Sequence, residues 1–240
     1  MRAVLAALLL VSCAERGSIL ALENPDDGGA GDAQNTAPES GSPPLAIVLV
    51  DTTAPSHVDD PKLEGRLGTL GFGVQERAEA IAVGPTDHAA LVVVSSSAES
   101  AGLSATLPDQ PIPIVMLESF AYSKLGMTGP LQGQDFGVID DTTVDVVDTA
   151  LSGLPLGNVT VYTQATTLNY AQPAASALVA AWVHGTTNHA ATFGYLAGSM
   201  MASRTAPARR VGVFLRTGTI GSASPEGWVM FDAAVRWAVQ

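Results

Sequence analysis

The six residues Leu45 to Val50, LAIVLV, form an unbroken apolar run that stops at Asp51. A run of strand length that is apolar on both faces predicts a strand buried inside a parallel sheet. Asp60 then reads as an N-cap before Pro61 at the first helical position, Leu63, Leu67 and Leu70 share one helical face, and Gly71 closes the helix. Phe72 to Gln75 read as a short second strand, Leu91 to Val94 as a third, and Ile112 to Leu117 as a fourth behind the proline-rich stretch 108–113. A helix is expected from Phe120 to Leu125. This alternation predicts a parallel sheet covered on both faces. The second half has another rhythm. Val159 to Thr163 alternate, and Leu178 to Val183 and Ala191 to Leu196 are joined by a turn at Gly185 to His189, which predicts antiparallel pairing at a sheet edge. Val211 to Leu215 return as a buried strand, and Ser224-Pro225-Glu226 open a last helix with Trp228, Phe231, Val235 and Ala238 on one stripe.

The first 44 residues follow neither pattern. Met1-Arg2 precede the apolar run Ala3 to Val11, which is far shorter than the roughly 20 residues of a membrane-spanning helix and fits the h-region of a signal peptide. It ends in Leu10-Val11-Ser12-Cys13, which resembles a bacterial lipobox. That resemblance implies cleavage before Cys13, acylation of Cys13, and a membrane partner reached through the acyl chains; several chains hold stably where one is marginal. Ala14 stands where an aspartate would retain a Gram-negative lipoprotein at the inner membrane, so an extracytoplasmic, outer-membrane position is expected if the host has one. Residues 14–44 are rich in Asp, Glu, Gly, Ser, Asn and Pro, with one basic against six acidic side chains. Such a stretch cannot bury enough surface to order itself, and as a coil it reaches roughly 30 Å. The expected organisation is a signal peptide at 1–12, a lipidated cysteine and tether at 13–44, and one domain at 45–240.

Composition narrows the function. The chain is 47% hydrophobic, which supports a packed core. Its 11 Lys and Arg stand against 23 Asp and Glu, a formal net charge of -12 that repels phosphate backbones and argues against nucleic acid as a partner. The single cysteine excludes a disulfide framework and any metal site with two thiolates. Neither G-x-G-x-x-G nor G-x-x-x-x-G-K-[ST] occurs, so no dinucleotide or NTP fingerprint is present, and no cofactor is expected.

In open α/β sheets, ligands bind outside the carboxyl ends of the strands. Three stretches stand there. Asp51 to His57 follow the first strand, hydroxyl-rich like a flavodoxin phosphate loop but without its glycine. Ser95-Ser96-Ser97 follow the third, and Glu118-Ser119 the fourth. The candidate binding residues are Asp51, Thr52, Ser95, Ser96 and Glu118, and the catalytic candidates are Glu118 and Ser119. For Glu118 the alternatives are a general base and an acid that caps the following helix. G-x-S-x-G is absent. His57, His88, His184 and His189 stand in no metal-binding motif and read as solvated loop histidines. Asp140, Asp141, Asp145 and Asp148 lack EF-hand loop chemistry and read as a helix start with a solvated face. Arg209, Arg210 and Arg236 read as partners of carboxylates or of a helix C-terminus.

The pattern as a whole resembles the class I glutamine-amidotransferase-like fold, and more closely its ThuA-like (trehalose-utilisation-like) branch. The carrying stretches are Leu45 to Asp51, Leu67 to Phe72, Leu91 to Ser97, Pro113 to Glu118 leading to Gly126-Met127-Thr128-Gly129, Ala206 to Gly212, and Gly227 to Trp237. The resemblance implies a flavodoxin-like three-layer α/β sandwich, mostly parallel, with antiparallel additions in the C-terminal half. In the amidotransferases a catalytic Cys occupies the strand-to-helix elbow, backed by a His and a Glu. Here the elbow falls at Glu118-Ser119, and neither His184-Gly185-Thr186 nor His189-Ala190-Ala191 reproduces the partners, so glutamine amidotransferase activity is not expected. Modules of this kind occur on exported bacterial proteins, some beside carbohydrate-active domains. The resemblance thus implies a non-enzymatic module for a glycan or an envelope protein, with a hydrolase or sugar-modifying enzyme using Glu118 as the alternative.

Overall fold

The computed structural model describes residues 41–216 and 218–240. The signal segment, Cys13 and all but the last four residues of the tether lie outside the described residues. In chain order the elements are β1 (Leu45–Val50), α1 (Asp60–Thr69), β2 (Gly73–Ala78), β3 (Ala89–Val94), β4 (Ile114–Met116), β5 (Phe136–Asp140) and β6 (Thr143–Val146). There follow α2 (Thr149–Ser152), β7 (Gly157–Thr160), β8 (Thr167–Ala171), β9 (Leu178–Val183), β10 (Ala190–Tyr195), β11 (Arg210–Gly212) and α3 (Pro225–Ala238). One mixed sheet runs β2-β1-β3-β4-β11-β10-β9-β6-β7, with β8 pairing β10 and β5 off that path. The pairs from β2 to β11 are parallel, with Leu45 opposite Gly73 and Val92 opposite Ile114, and every pair beyond β11 is antiparallel. The α/β sandwich with antiparallel strands in its C-terminal half is therefore the fold that forms.

Period-two alternation divides the core. Ala46, Val48 and Val50 of β1 pack with Leu63 and Leu67 of α1 and with Phe231 and Val235 of α3. Ile47 and Leu49 point to the opposite face, against Leu103, Leu107, Leu125 and Met127. Each such Val, Leu, Ile, Phe or Met side chain contributes about 1.5–3 kcal/mol on burial. All three helices share one face; the other is covered by irregular loops that follow the parallel strands. The last helix begins as its sequence predicts, with Ser224 Oγ accepting from Gly227 N at 2.9 Å and Pro225 at the first position. Gly227 is a glycine because a Cβ there would lie 2.4 Å from the carbonyl oxygen of Val161. Arg66 and Asp232 join α1 to α3 through two 2.7 Å bonds.

Several local expectations are corrected. Asp60 is the first residue of α1 and makes no cap: it is fully buried, and Asp59 stands at the cap position. Phe120 to Leu125 form no α-helix. A single 3-10 turn at Ser119–Ala121 is followed by bonds of mixed span, Leu125 N to Ala121 O and Met127 N to Tyr122 O. The acidic stretch 140–148 is mostly strand: the Asp141 carboxylate accepts from Thr142 N and Thr143 N and turns β5 into β6, whose alternating burial fits its β-branched residues. Only Asp148 starts a helix, accepting from Ala150 N and Leu151 N. The β9–β10 hairpin forms, but inside the sheet, because β6 and β7 extend it further. Among the described residues Arg210 pairs with no carboxylate; fully buried, it donates to the carbonyls of Ile112 and Gln110. Among the described residues no helix is long and apolar enough to cross a membrane.

Candidate functional site

The carboxyl ends of β1, β2, β3 and β4 bring Asp51, Glu79, Ser95 to Ser97 and Glu118 to one end of the sheet, and Arg216 lies four residues beyond β11. Glu118 follows β4 and is 6% exposed. Its Oε1 accepts from Phe120 N at 2.8 Å, which caps the 3-10 turn. Burial pushes its carboxyl up to about 7, and the charge of Glu79 adds to this; the Phe120 N–H and Arg216 pull it back. It borders an open pocket of about 270 Å³ whose other lining residues are Ser96 to Ala101 and Phe120. The pocket thus offers serine hydroxyls and main-chain groups, one aromatic ring and two carboxyls, that of the exposed Glu99 and that of Glu118, which exchanges its proton near neutral pH.

The two readings of Glu118 coexist in one side chain, since it caps the turn and is also buried at the edge of a cavity. Ser119 is different. Its side chain is fully buried, and its Oγ has no hydrogen-bond partner among the described residues, so no base activates it. The strained backbone of a nucleophile elbow is missing too: Glu118 is extended at φ −101°, and His88 is the one described non-glycine residue with positive φ.

Of the residues singled out in the sequence, Ser96 and Glu118 meet at the pocket. Asp51 and Thr52 do not line it. The Asp51 carboxylate accepts from the side chain and backbone of Thr53 at 2.7 and 2.8 Å, bonds that hold its pKa below the usual range. Ser95 is fully buried and donates to Asp60 Oδ1 at 2.5 Å. Asp60 Oδ2 accepts from Ser97 Oγ at 2.6 Å and lies 3.0 Å from His57 Nδ1, whose Nε2 is 3.8 Å from Glu76. The bond to Asp60 raises the His57 pKa, which makes His57 a partner of a buried carboxylate instead of a solvated loop residue. His184 pairs with Asp145 at 2.9 Å, and His189 stacks on Tyr170. Among the described residues no three His, Cys, Asp or Glu converge as metal ligands.

Sequence reasoning missed Asp60, Glu79, Ser97 and Phe120. Ser97 and Phe120 each adjoin a chosen residue. Glu79 was hidden because the second strand runs to Ala78 and not to Gln75, so the residue at its carboxyl end went uncounted.

No protein-family profile matches the chain, and no curated protein matches it in sequence. Solved structures do. A ThuA-like protein of Bacteroides uniformis aligns with a TM-score of 0.54 at 8% identity, over 87% of this chain and 95% of that one. A ThuA-like protein of Parabacteroides merdae gives 0.50 at 11% identity, over 83% and 91%. A protein of Thermoplasma acidophilum assigned to GMP synthase gives 0.49 at 15% identity, over 80% and 92%. At these identities the likeness to the two ThuA-like proteins is one of fold, and it is the fold that the framework stretches imply.

Proposed function

We propose that this chain is a lipid-anchored module of a bacterial cell surface whose strand-end pocket binds a small uncharged polyhydroxylated ligand, a monosaccharide or the end of a glycan. The observation that carries the pocket reading is Glu118, buried to 6% exposure yet bordering an open, serine-lined cavity of about 270 Å³ with Phe120 beside it. A ring face packs on the apolar face of a sugar, while hydroxyls and the carboxyls of Glu99 and Glu118 bond its hydroxyl groups. A chain of net charge -12 disfavours anionic ligands. The anchor rests on the sequence alone, on Met1 to Cys13 and the tether behind them, with Ala14 favouring the outer membrane where the host has one. An envelope protein is the competing partner.

A second reading has one observation of its own. A carboxyl held at about 7 suits a general base, so Glu118 would serve a hydrolase or a sugar-modifying enzyme. The test is thermal unfolding of the protein with glucose, galactose and N-acetylglucosamine, with Glu118→Ala alongside. Binding to the native state adds about 2.7 kcal/mol at a hundredfold excess over Kd. A shift in the parent that is lost in Glu118→Ala supports the pocket, and turnover of the same sugar would select the enzyme. No shift with any sugar, and a less stable Glu118→Ala, would make Glu118 a structural cap and turn the search to envelope proteins.

A further inference from the structure

The loop 96–104 supplies six of the eight residues that line the pocket. It has no helix or strand of its own; turn bonds such as Gly102 N to Glu99 O at 2.9 Å are its internal support. A serine-rich loop of this kind samples many conformations unless something outside it pays their entropy.

Two charged side chains reach it from other parts of the chain. Glu79, one residue past β2, accepts from Glu99 N at 2.5 Å through Oε2, and its carbonyl accepts from Ser104 N at 3.2 Å. Lys124, beyond the turn after β4, donates from Nζ to Ser100 O at 3.0 Å and to Leu103 O at 2.5 Å. Gly102 fits the same arrangement: a Cβ there would lie 1.7 Å from Glu79 Oε1, so the carboxylate occupies the space where a side chain would start. Bonds with one charged partner are about twice as strong as neutral ones, which suits holding a loop from few points.

We propose that Glu79 and Lys124 are positioning residues that clasp this loop from two sides and so set the wall of the pocket opposite Glu118, and with it the ligands the pocket accepts. The proposal rests on the pocket reading above. Neither side chain lines the cavity itself; each acts through the backbone it holds.

The test is amide hydrogen exchange over 96–104 in the full chain without ligand, for the parent, Lys124→Met, Glu79→Ala and Glu79→Gln. Losing a charge-assisted bond lowers local protection by about tenfold or more. That loss is expected in Lys124→Met and Glu79→Ala, with β1 and β3 still protected, and recovery is expected in Glu79→Gln, which keeps an acceptor for Glu99 N. Gly102→Ala supplies an independent break from the loop side: it should loosen the parent loop but add little in the Glu79→Ala background, where the space is empty. Unchanged exchange over 96–104 in both disruptive variants overturns the clasp, as does a Gly102→Ala effect equal in the two backgrounds. If the parent melts higher with glucose, galactose or N-acetylglucosamine and a loosened variant responds equally, the clasp does not govern the ligand and the proposal fails. If no sugar shifts the parent, the pocket reading fails by itself while the exchange data still decide the clasp.

Discussion

The two halves of the sheet place the same kinds of side chain in opposite surroundings. In the parallel half, Asp60 is fully buried and Glu118 is 6% exposed, and burial lifts the Glu118 carboxyl to about 7. In the antiparallel half, the side chain of Asp145 is 33% exposed and that of its partner His184 is 55% exposed. There the bond to His184 holds the Asp145 carboxyl below its usual range. The difference follows from topology. Parallel strands end side by side, and the loops leaving them close over a concave end where a carboxyl loses its water. Hairpin strands carry their polar side chains on a solvated margin. A carboxyl lifted toward neutral pH by burial therefore belongs to the parallel half, and substitutions in each half test that division.

The largest effect is expected at Asp60. Asp60→Ala removes the acceptor of Ser95 Oγ, Ser97 Oγ and His57 Nδ1 from the interior and should cost about 3–5 kcal/mol in urea unfolding. A loss below about 1 kcal/mol would mean that the buried network contributes no more than a surface pair, and the contrast between the halves would go.

Glu118 comes next, and its effect has a sign. Its folded pKa of about 7 is raised above the ordinary 4.5, so its protonated form is the one the fold favours. The stability it contributes is complete below pH 4.5 and is lost as the pH rises to about 7, by about 3 kcal/mol in all. Glu118→Gln, neutral at every pH, should match the parent at pH 4, exceed it at pH 8, and flatten the slope between. Parallel curves for the two proteins would place the Glu118 carboxyl in water. Arg66→Met, which breaks the bridge between α1 and α3 on the helical side and leaves the buried Asp232 without both of its bonds, should cost about 2 kcal/mol without altering that slope, because neither residue contributes to the shift of the Glu118 carboxyl.

The division also explains what the sequence makes legible. LAIVLV at β1 and Ser224-Pro225 before α3 are local signals, complete within a few residues, and both elements form as they predict. The strand ends after β1, β3 and β4 follow from the same signals, so Ser96 and Glu118 could be chosen. Asp60-Pro61 fits a helix cap equally well until β3 arrives 35 residues later to bury it, and no local pattern carries that contact. Glu79 ends GVQERA, a strand too polar to announce its length. Lys124 meets a loop more than 20 residues upstream, where an expected helix masks the turn that aims it. In the antiparallel half, β5 and β8 pair across 27 or more residues, and neither announces itself in a region of short elements. What local sequence conceals is therefore long-range pairing of charge with backbone, which is also what shapes the pocket.

The smallest effect is expected at the Asp145–His184 pair, and its pH dependence distinguishes it from Glu118. The Asp145 bond raises the His184 pKa above 6.5, so that contribution is complete below pH 6.5 and is lost as the pH rises through the folded value. The Asp145 pKa is lowered, mainly by His184, so its contribution is complete above pH 3.8 and is lost as the pH falls through the folded value. The pair is thus at full strength between about pH 4 and 6.5, within much the same interval in which the Glu118 contribution declines. Substituting His184→Ala should lower the unfolding midpoint most in that interval and least above it, and 1 M salt should remove most of the difference, since exposed charges are screened over about 3 Å at that strength. The salt series separates the halves directly. The pH slope removed by Glu118→Gln arises from desolvation and should survive 1 M salt, whereas the His184 effect should fade. A His184 effect that persisted in salt and exceeded the Glu118 slope would place the more strongly desolvated ionisable group on the antiparallel margin, and the assignment of the desolvated ionisable group to the parallel strand ends would have to be given up.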